Sequence, residues 1–437
     1  MNYTEWLAMK ALEYRGDVLY FAGKNTLEIS KEYGTPIYVI NENTIRKRYR
    51  NLKNLLNSEY ENNRIHYAVK ANSSLSILKI LHSEGGFFDC TSMGEIYTCF
   101  KAGISPEKII YTGNMFTDED FTFAVENKVL INLDSVSQLK RLAKIHDDLG
   151  MEKSLISFRI NPEFGAGHHT HTITAGRTIK FGILEEQAIQ AFSKAKNYGF
   201  KKFGIHQHIG SGVLNAQDFK KPVEKYISII KKIAKSLEIE FEFVDFGGGL
   251  GIPYRPLEEP LDFDIYKEVV LKPFKKLISS ESIGEPIFKI EPGRFLTAES
   301  SILLTQINTI KNNGYKLFAG VDAGFNTLLR PTLYNSYHHI IACNKNVKET
   351  TLTYDIAGPI CESGDILGKN RELNKLEEKE VLAILDVGAY GFTMSSCYNS
   401  RPRSSEILIN NGNLFKIREA ESLDDLLKLQ IIPDHLK

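Results

Sequence analysis

The chain carries no charge surplus of either sign: 54 Lys and Arg balance 54 Asp and Glu over 437 residues. That balance argues against a nucleic-acid or anionic-membrane surface as the main partner. No uninterrupted apolar run approaches the roughly 20 residues needed to span a bilayer. The opening stretch MNYTEWLAMKALEYRGD mixes charges from its start and lacks the apolar core of a signal peptide, so the cytoplasm is the expected location. Cysteine is scarce: Cys90, Cys99, Cys343, Cys361 and Cys397 are odd in number and form no C-x-x-C pair. A disulfide framework and a structural zinc site are both disfavoured, and each thiol has to be read singly. Low-complexity linkers are also missing.

What is present is an ordinary soluble composition, 42% hydrophobic and 25% charged, with a length suited to two or three domains. Between about residues 65 and 296, eight short apolar runs alternate with amphipathic stretches. The runs are IHYAVKA, FFDCTS, IIYTG, VLINLDS, LISFRINP, KKFGIHQHIG, FEFVDFGGG and IFKIEPGR. Segments such as LSILKILHSEG and SVSQLKRLAKIHDDLG space their apolar residues as helices do and close on glycine. Eightfold strand–helix alternation predicts a (β/α)8 barrel.

Polar residues collect where these strands end: Lys70, Asp89, Asn114, Asp134, Asn161, His208, Gly247–Gly249, Glu291 and Arg294. In such a barrel the strands' C-terminal ends share one mouth, so these residues converge. Turn preference accounts for Asn114 and Asp134, but not for a lysine, a histidine and an E-P-G-R at the same edge. After residue 296, SILLTQINTIKNNGYKLFAGVDAG, ETTLTYDIAGPI and KEVLAILDVGAYGF read as strands. The early stretch VLYFAGKNTLEISKEYGTPIYVI also reads as β-rich. The predicted division is therefore an N-terminal segment over 1–38 packed with a β-domain over 297–437, and a barrel over 39–296.

A strand-end lysine is most often structural, so Lys70 alone decides nothing; desolvated, such an amine can form a Schiff base with a carbonyl. Gly247–Gly249 allow backbone N–H groups to approach an anion, although a plain tight turn is the simpler reading of glycines alone. HIGSG adds the Ser211 hydroxyl and a flat ring, His208, able to stack on an aromatic group. Within EPGR, Glu291 can accept from a protonated ring nitrogen and Arg294 can hold a phosphate or carboxylate. An acid for a pyridinium, an amine and a phosphate loop are the requirements of pyridoxal phosphate acting as an electron sink. His168, His169 and His171 lie in a Gly- and Thr-rich stretch, which fits a substrate-covering loop better than a metal site; no metal is expected. Arg330 and Tyr334 stand four apart, but Pro331 disfavours helix at Arg330, so the two need not share a helix face.

The motifs HYAVKAN, FDCTSMGE, HIGSG, FVDFGGGLG, EPGR, GPICESGD and GAYGFTMSSCYNSRPR occur in order over about residues 30–410. Together they resemble the fold-type III pyridoxal-phosphate decarboxylases. The resemblance implies an alanine-racemase-like barrel joined to a C-terminal β-barrel domain. It implies Lys70 as the Schiff-base lysine, His208 stacked on the pyridine and Glu291 on its nitrogen. Asp89, Ser211, Gly247, Gly248, Gly249, Gly293, Arg294 and Tyr390 complete the implied cofactor site. Arg294, Arg330, Tyr334, Tyr390 and Glu362 are implied substrate ligands. Cys361 is the implied proton donor, delivered with Glu362 across a homodimer interface. Ala175, Thr327 and Cys397 depart from the family's usual residues, away from this chemistry.

A thiol titrates near pH 8.5, so it is protonated near neutrality yet able to release its proton. That suits a group returning a proton to the α-carbon after carbon dioxide leaves. A distal ammonium needs one acid, Glu362. A distal carboxylate needs cationic donors, and an Arg without such a partner would be costly. The expected substrate is therefore meso-2,6-diaminopimelate, with carboxynorspermidine, ornithine or lysine as alternatives. A racemase or a non-catalytic cofactor carrier fits the C-E-S segment, Arg330 and Glu362 less well.

Overall fold

The computed structural model describes residues 2–165, 174–176, 178–344 and 350–437, and the chain divides into two compact units. One spans Arg46–Ile252 and Glu259–Leu296. All eight apolar runs form strands in it: β1 Asn63–Ala68, β2 Phe87–Cys90, β3 Ile109–Tyr111, β4 Leu130–Leu133, β5 Leu155–Ile160, β6 Lys202–Gln207, β7 Phe243–Asp245 and β8 Ile287–Ile290. They are parallel and close in chain order, with Phe288 of β8 opposite Asn63 of β1. Parallel strands covered on both faces bury nearly every side chain, which is why they read as continuous apolar runs.

The connecting helices follow from local signals. Ser92, Thr117 and Ser135 cap helices Met93–Lys101, Asp118–Glu126 and Val136–Asp148 through their side-chain oxygens. In the helix Lys220–Leu237, Val223, Tyr226, Ile229, Ile230 and Ile233 are buried, a three-to-four spacing that gives it one apolar face. Inside the barrel, Gly204 of β6 stands opposite Phe243 of β7. A Cβ on Gly204 would lie 2.1 Å from the Phe243 ring, so the glycine makes room for that ring.

The second unit comprises Met1–Ile45, Pro253–Glu258 and Thr297–Lys437. Its main element is a nine-stranded mixed sheet. The long strand Ser301–Asn312 pairs antiparallel with Ile37–Asn41, Val381–Ile384 and Leu317–Val321. Ile37–Asn41 also pairs parallel with Glu406–Asn410. A boundary at residue 38 therefore cuts a strand in two; the sheet claims the residues up to Asn41 through their backbone hydrogen bonds, and the unit runs on to Ile45. Trp6, Leu7, Leu12, Phe21 and Ile29 share one core with Val39, Ile302, Leu304 and Ile407.

The early β-rich reading needs correcting at Thr26–Tyr33, which is a helix. The Asn25 side chain accepts from the N–H groups of Leu27 and Glu28, and Gly34 ends the helix at φ +80°. Cap and stop signals there outweigh the β-branched residues.

Lys10 ties the N-terminal segment into this unit. Its ammonium donates to Glu299 at 3.0 Å, Asp386 at 2.8 Å and the Pro253 carbonyl at 3.1 Å, with all three side chains buried. Every ammonium proton is thus used. Removing one partner of a buried ion pair costs about 3–5 kcal/mol, because the remaining charges keep their desolvation penalty. Lys10→Ala is expected to lower the unfolding free energy read from urea titration by about that amount, whereas Arg15→Ala, in an exposed pair with Glu13, is expected to leave it within about 0.5 kcal/mol.

Candidate active site

The strand ends of the barrel bring a lysine, acids and glycines together. Lys70 follows β1 in the short turn Val69–Ala71. Its ammonium lies 3.6 Å from Asp89 in β2. Asp89 is fully buried, and neither of its oxygens has a hydrogen-bond partner among the described residues. His208, just past β6, has its Nδ1 fixed: the Gly210 N–H donates to it at 3.2 Å, which places the ring proton on Nε2. Thr174 Oγ1 lies 2.8 Å from the same nitrogen and 3.1 Å from the His208 carbonyl. Burial, with Lys70 adding, holds His208 well below its ordinary pKa, so the ring is neutral.

The glycines are required by close approach. Gly247 has φ +69°, and a Cβ on it would lie 2.3 Å from the Gln207 carbonyl oxygen. A Cβ on Gly248 would lie 2.4 Å from the Glu291 carbonyl oxygen. The Gly247 loop is thus pressed between the ends of β6 and β8, and the Glu291 N–H donates to the Gly247 carbonyl at 2.8 Å. Gly293 plays the same part beside Lys70, since its Cβ would meet Ala71 Cβ at 2.9 Å. The buried Arg294 guanidinium donates to Ser211 Oγ at 3.1 and 3.3 Å. Ser211, the glycines and Arg294 form a cradle with the N–H groups and charge an anion needs.

Beneath this mouth runs a buried polar layer of which sequence reasoning found only Glu291. Arg159, His206, Asp245 and Lys289 stand side by side in register across β5 to β8. His206 Nε2 lies 3.0 Å from Glu291 Oε2. Single ligand-type atoms of His206, Asp245 and Glu291 lie within 4.8 Å of one another. Burial drives the group's titration: His206 is lowered to about 4, Asp245 is raised to about 8 with Glu291 adding, and Lys289 is lowered to about 8. Glu291 is raised by burial and by Asp89. Arg159 and Lys289 already supply positive charge here, which favours a hydrogen-bonded relay over a metal ion. Asp245 stands beside His206 in register and holds the glycine loop by accepting from the Gly247 N–H at 2.9 Å. The signal was in the sequence: IHQHIG, FRINP, FVDFG and FKIEP each place an ionisable residue at the strand end or one position before it, although spacing alone does not say which of these faces inward.

The remaining candidates lie in the β-unit. Arg330 and Tyr334 do share a helix, Arg330–Tyr334. Pro331 falls in its first turn, where a missing N–H costs nothing, so the expectation against a helix there fails. Arg330 is buried and donates to His338 Nε2 at 2.7 Å and to Ser336 Oγ at 3.3 Å. The acceptor role of His338 Nε2 is set by its Nδ1–H, which donates to the Leu385 carbonyl at 2.7 Å. Tyr390 is half-buried with φ +58°. Cys361 and Glu362 are exposed on the connection between strands Thr351–Ala357 and Ile366–Asn374. The Cys361 N–H donates to Asn399 Oδ1 at 3.0 Å. His168, His169 and His171 lie outside the described residues.

The barrel site fits pyridoxal phosphate on its own geometry. Glu291 Oε1 is buried without a hydrogen-bond partner, its other oxygen being held by His206, and a protonated ring nitrogen supplies what it lacks. The cradle suits the phosphate, and Lys70 the aldehyde. Comparison with known proteins agrees. Residues 42–298 match the family described as pyridoxal-dependent decarboxylase, pyridoxal binding domain. The chain is 47% identical over 418 residues to a diaminopimelate decarboxylase of Methanothermobacter thermautotrophicus, covering 96% of each. It superposes with TM-score 0.90 on the diaminopimelate decarboxylase of Methanocaldococcus jannaschii solved with L-lysine, at 33% identity, covering 98% of this chain and 99% of that one. The lysine/ornithine decarboxylase of Vibrio vulnificus, solved with putrescine, shares the fold at TM-score 0.73 and 20% identity, covering 88% of this chain and 97% of that one.

The chain belongs to the pyridoxal-dependent decarboxylases, carbon–carbon lyases built on this barrel. Within them its place is among the diaminopimelate decarboxylases, the group of its relatives at 34–47% identity.

His206→Phe removes the group that holds Glu291 Oε2 and leaves a buried carboxylate unsatisfied, which costs about 1–3 kcal/mol. Cofactor affinity, measured by equilibrium dialysis, is expected to fall about 10- to 100-fold, and His206→Gln to recover part of it. Equal affinity in wild type and His206→Phe would show that the relay does not position Glu291.

Proposed function

We propose that the chain removes one α-carboxylate of meso-2,6-diaminopimelate, releasing carbon dioxide and L-lysine, as a cytoplasmic homodimer. The observation that carries this reading is the buried, half-satisfied Glu291 carboxylate, at the same strand ends as Lys70 and a glycine–arginine anion cradle. L-Lysine, the product of this reaction, is the ligand in the solved Methanocaldococcus jannaschii relative. When bound, pyridoxal phosphate supplies an electron sink for the pair left behind as carbon dioxide departs.

The chain's own residues do the rest. Lys70 would hold the cofactor at its carbonyl carbon, with Asp89 3.6 Å away beside the amine. His208, neutral and locked in one tautomer, offers a flat face to the ring. Glu291 keeps the ring nitrogen protonated. Ser211, Gly247, Gly248, Gly249, Gly293, Arg294 and Tyr390 hold the phosphate.

On the substrate, Arg294, Arg330, Tyr334 and Tyr390 take the carboxylate and Glu362 the distal ammonium. Cys361 returns a proton to the α-carbon from its Sγ, reaching the partner's barrel with Glu362. Exposure of Cys361 and Glu362 on the connection between two strands supports this role. The preference for a diacid rests on donor type: Arg330 and Tyr334 offer a guanidinium and a hydroxyl that match a distal carboxylate and that a substrate without one does not use.

Lys70→Ala is expected to abolish the visible absorbance of the bound cofactor and to lower turnover by more than 10³-fold. Cys361→Ala is expected to keep cofactor affinity but lose about 10²–10⁴-fold in kcat, the usual contribution of a positioned acid. Carbon dioxide release from meso-diaminopimelate, carboxynorspermidine, ornithine and lysine tests specificity. Diaminopimelate should lead ornithine by about 10³-fold or more in kcat/KM, as expected for a site built to hydrogen-bond a second carboxylate. Equal rates on ornithine would remove the diacid assignment.

A further inference from the structure

A separate cavity of about 600 Å³ opens within the β-unit, with Arg255, Ser336, Tyr337, Lys369, Arg371 and Glu372 among its lining. Its chemistry is one-sided. The guanidiniums of Arg255 and Arg371 both lie over the Tyr337 ring, 4.2 and 3.9 Å from its centre. Neither makes an ion pair among the described residues, and Glu372 on the same wall is exposed and makes none either.

Arg371 is held in this unfavourable place by the backbone beneath it. Its side chain folds back across Gly368, where a Cβ would sit 2.6 Å from Arg371 Nε. Nε is buried with no acceptor, which a guanidinium tolerates poorly. Burial and the neighbouring Arg255 both disfavour its charge. The Tyr337 platform is rigid: its hydroxyl lies 3.0 Å from His339 Nδ1, and the Tyr3 hydroxyl lies 2.9 Å from the other ring nitrogen. Ser336 Oγ accepts from Arg330, so its own O–H is left to donate into the cavity.

Two guanidiniums over one ring, a buried N–H without an acceptor, an ammonium and a free hydroxyl donor all await negative oxygens. We propose that this cavity binds a small dianion, a phosphate ester or a dicarboxylate, gripped by Arg255 and Arg371 and assisted by Lys369 and Ser336. The fork of N–H donors on each guanidinium matches the paired oxygens of such groups. A bare cation–π stack, the alternative, leaves Arg371 Nε unsatisfied and has no use for the cavity.

The test titrates inorganic phosphate, and separately succinate, into the cofactor-loaded protein by calorimetry, with KCl holding ionic strength constant. Cofactor loading keeps the glycine cradle filled, so its anion affinity does not contribute. One saturable site per chain is expected, weakened at least tenfold in both Arg371→Gln and Arg255→Gln. Phosphate binding alone assigns a phosphate ester, and succinate binding assigns a dicarboxylate. No saturable binding of either anion, or binding unchanged in both variants, overturns the proposal. Arg255 is exposed, so its variant keeps the test decisive even if Arg371→Gln does not fold.

Discussion

Glu291 is the residue on which the barrel site depends. A carboxylate buried this deeply is costly unless both oxygens are satisfied, and the fold satisfies one of them through His206. The other is left for whatever binds. That asymmetry selects a ligand with a protonated ring nitrogen. The same residue's N–H donates to the Gly247 carbonyl, while Asp245 accepts from the Gly247 N–H. The acid that meets the ring and the loop that meets the phosphate are thereby joined through backbone and side chain, so the two ends of one cofactor are positioned by one hydrogen-bonded unit.

The barrel tolerates this much polarity because burial suppresses charge and the ions that remain have neighbours of opposite sign. Burial raises Asp245 and Glu291 and lowers His206 and Lys289, and the Lys70 ammonium lies 3.6 Å from Asp89. Gly204 and Phe243 show how packing serves the same layer: the missing Cβ admits the ring, and the Lys289 ammonium lies 3.5 Å above it. In the β-unit a comparable economy operates at Lys10, whose three partners come from positions 253, 299 and 386. In both cases the buried ions stand beside groups of opposite sign rather than alone.

Much of this was legible beforehand, for identifiable reasons. Parallel strands buried on both faces write themselves as short apolar runs, and helices announce their ends through Asn, Ser, Thr and Gly. Strand-end residues share a mouth by topology, so Lys70, His208, Glu291 and Arg294 could be grouped without coordinates. Other features resisted. Thr26–Tyr33 looks β-rich until the Asn25 cap is weighed, and Pro331 looks like a helix breaker until it is seen in the first turn. His206 was hidden beside His208, because choosing between two histidines one residue apart requires knowing which face of the strand points inward.

The sequence alone determined the alternation of elements, the closure into a barrel and the kinds of chemistry gathered at its mouth. Each of these follows from local periodicity or from which residue types end a strand. Only the tertiary structure decided which buried acid is paired by which histidine, which strand the first domain boundary cuts, and where two arginines share a tyrosine with no acid between them. Those facts depend on contacts between positions tens to hundreds of residues apart, and spacing along a chain carries no record of them.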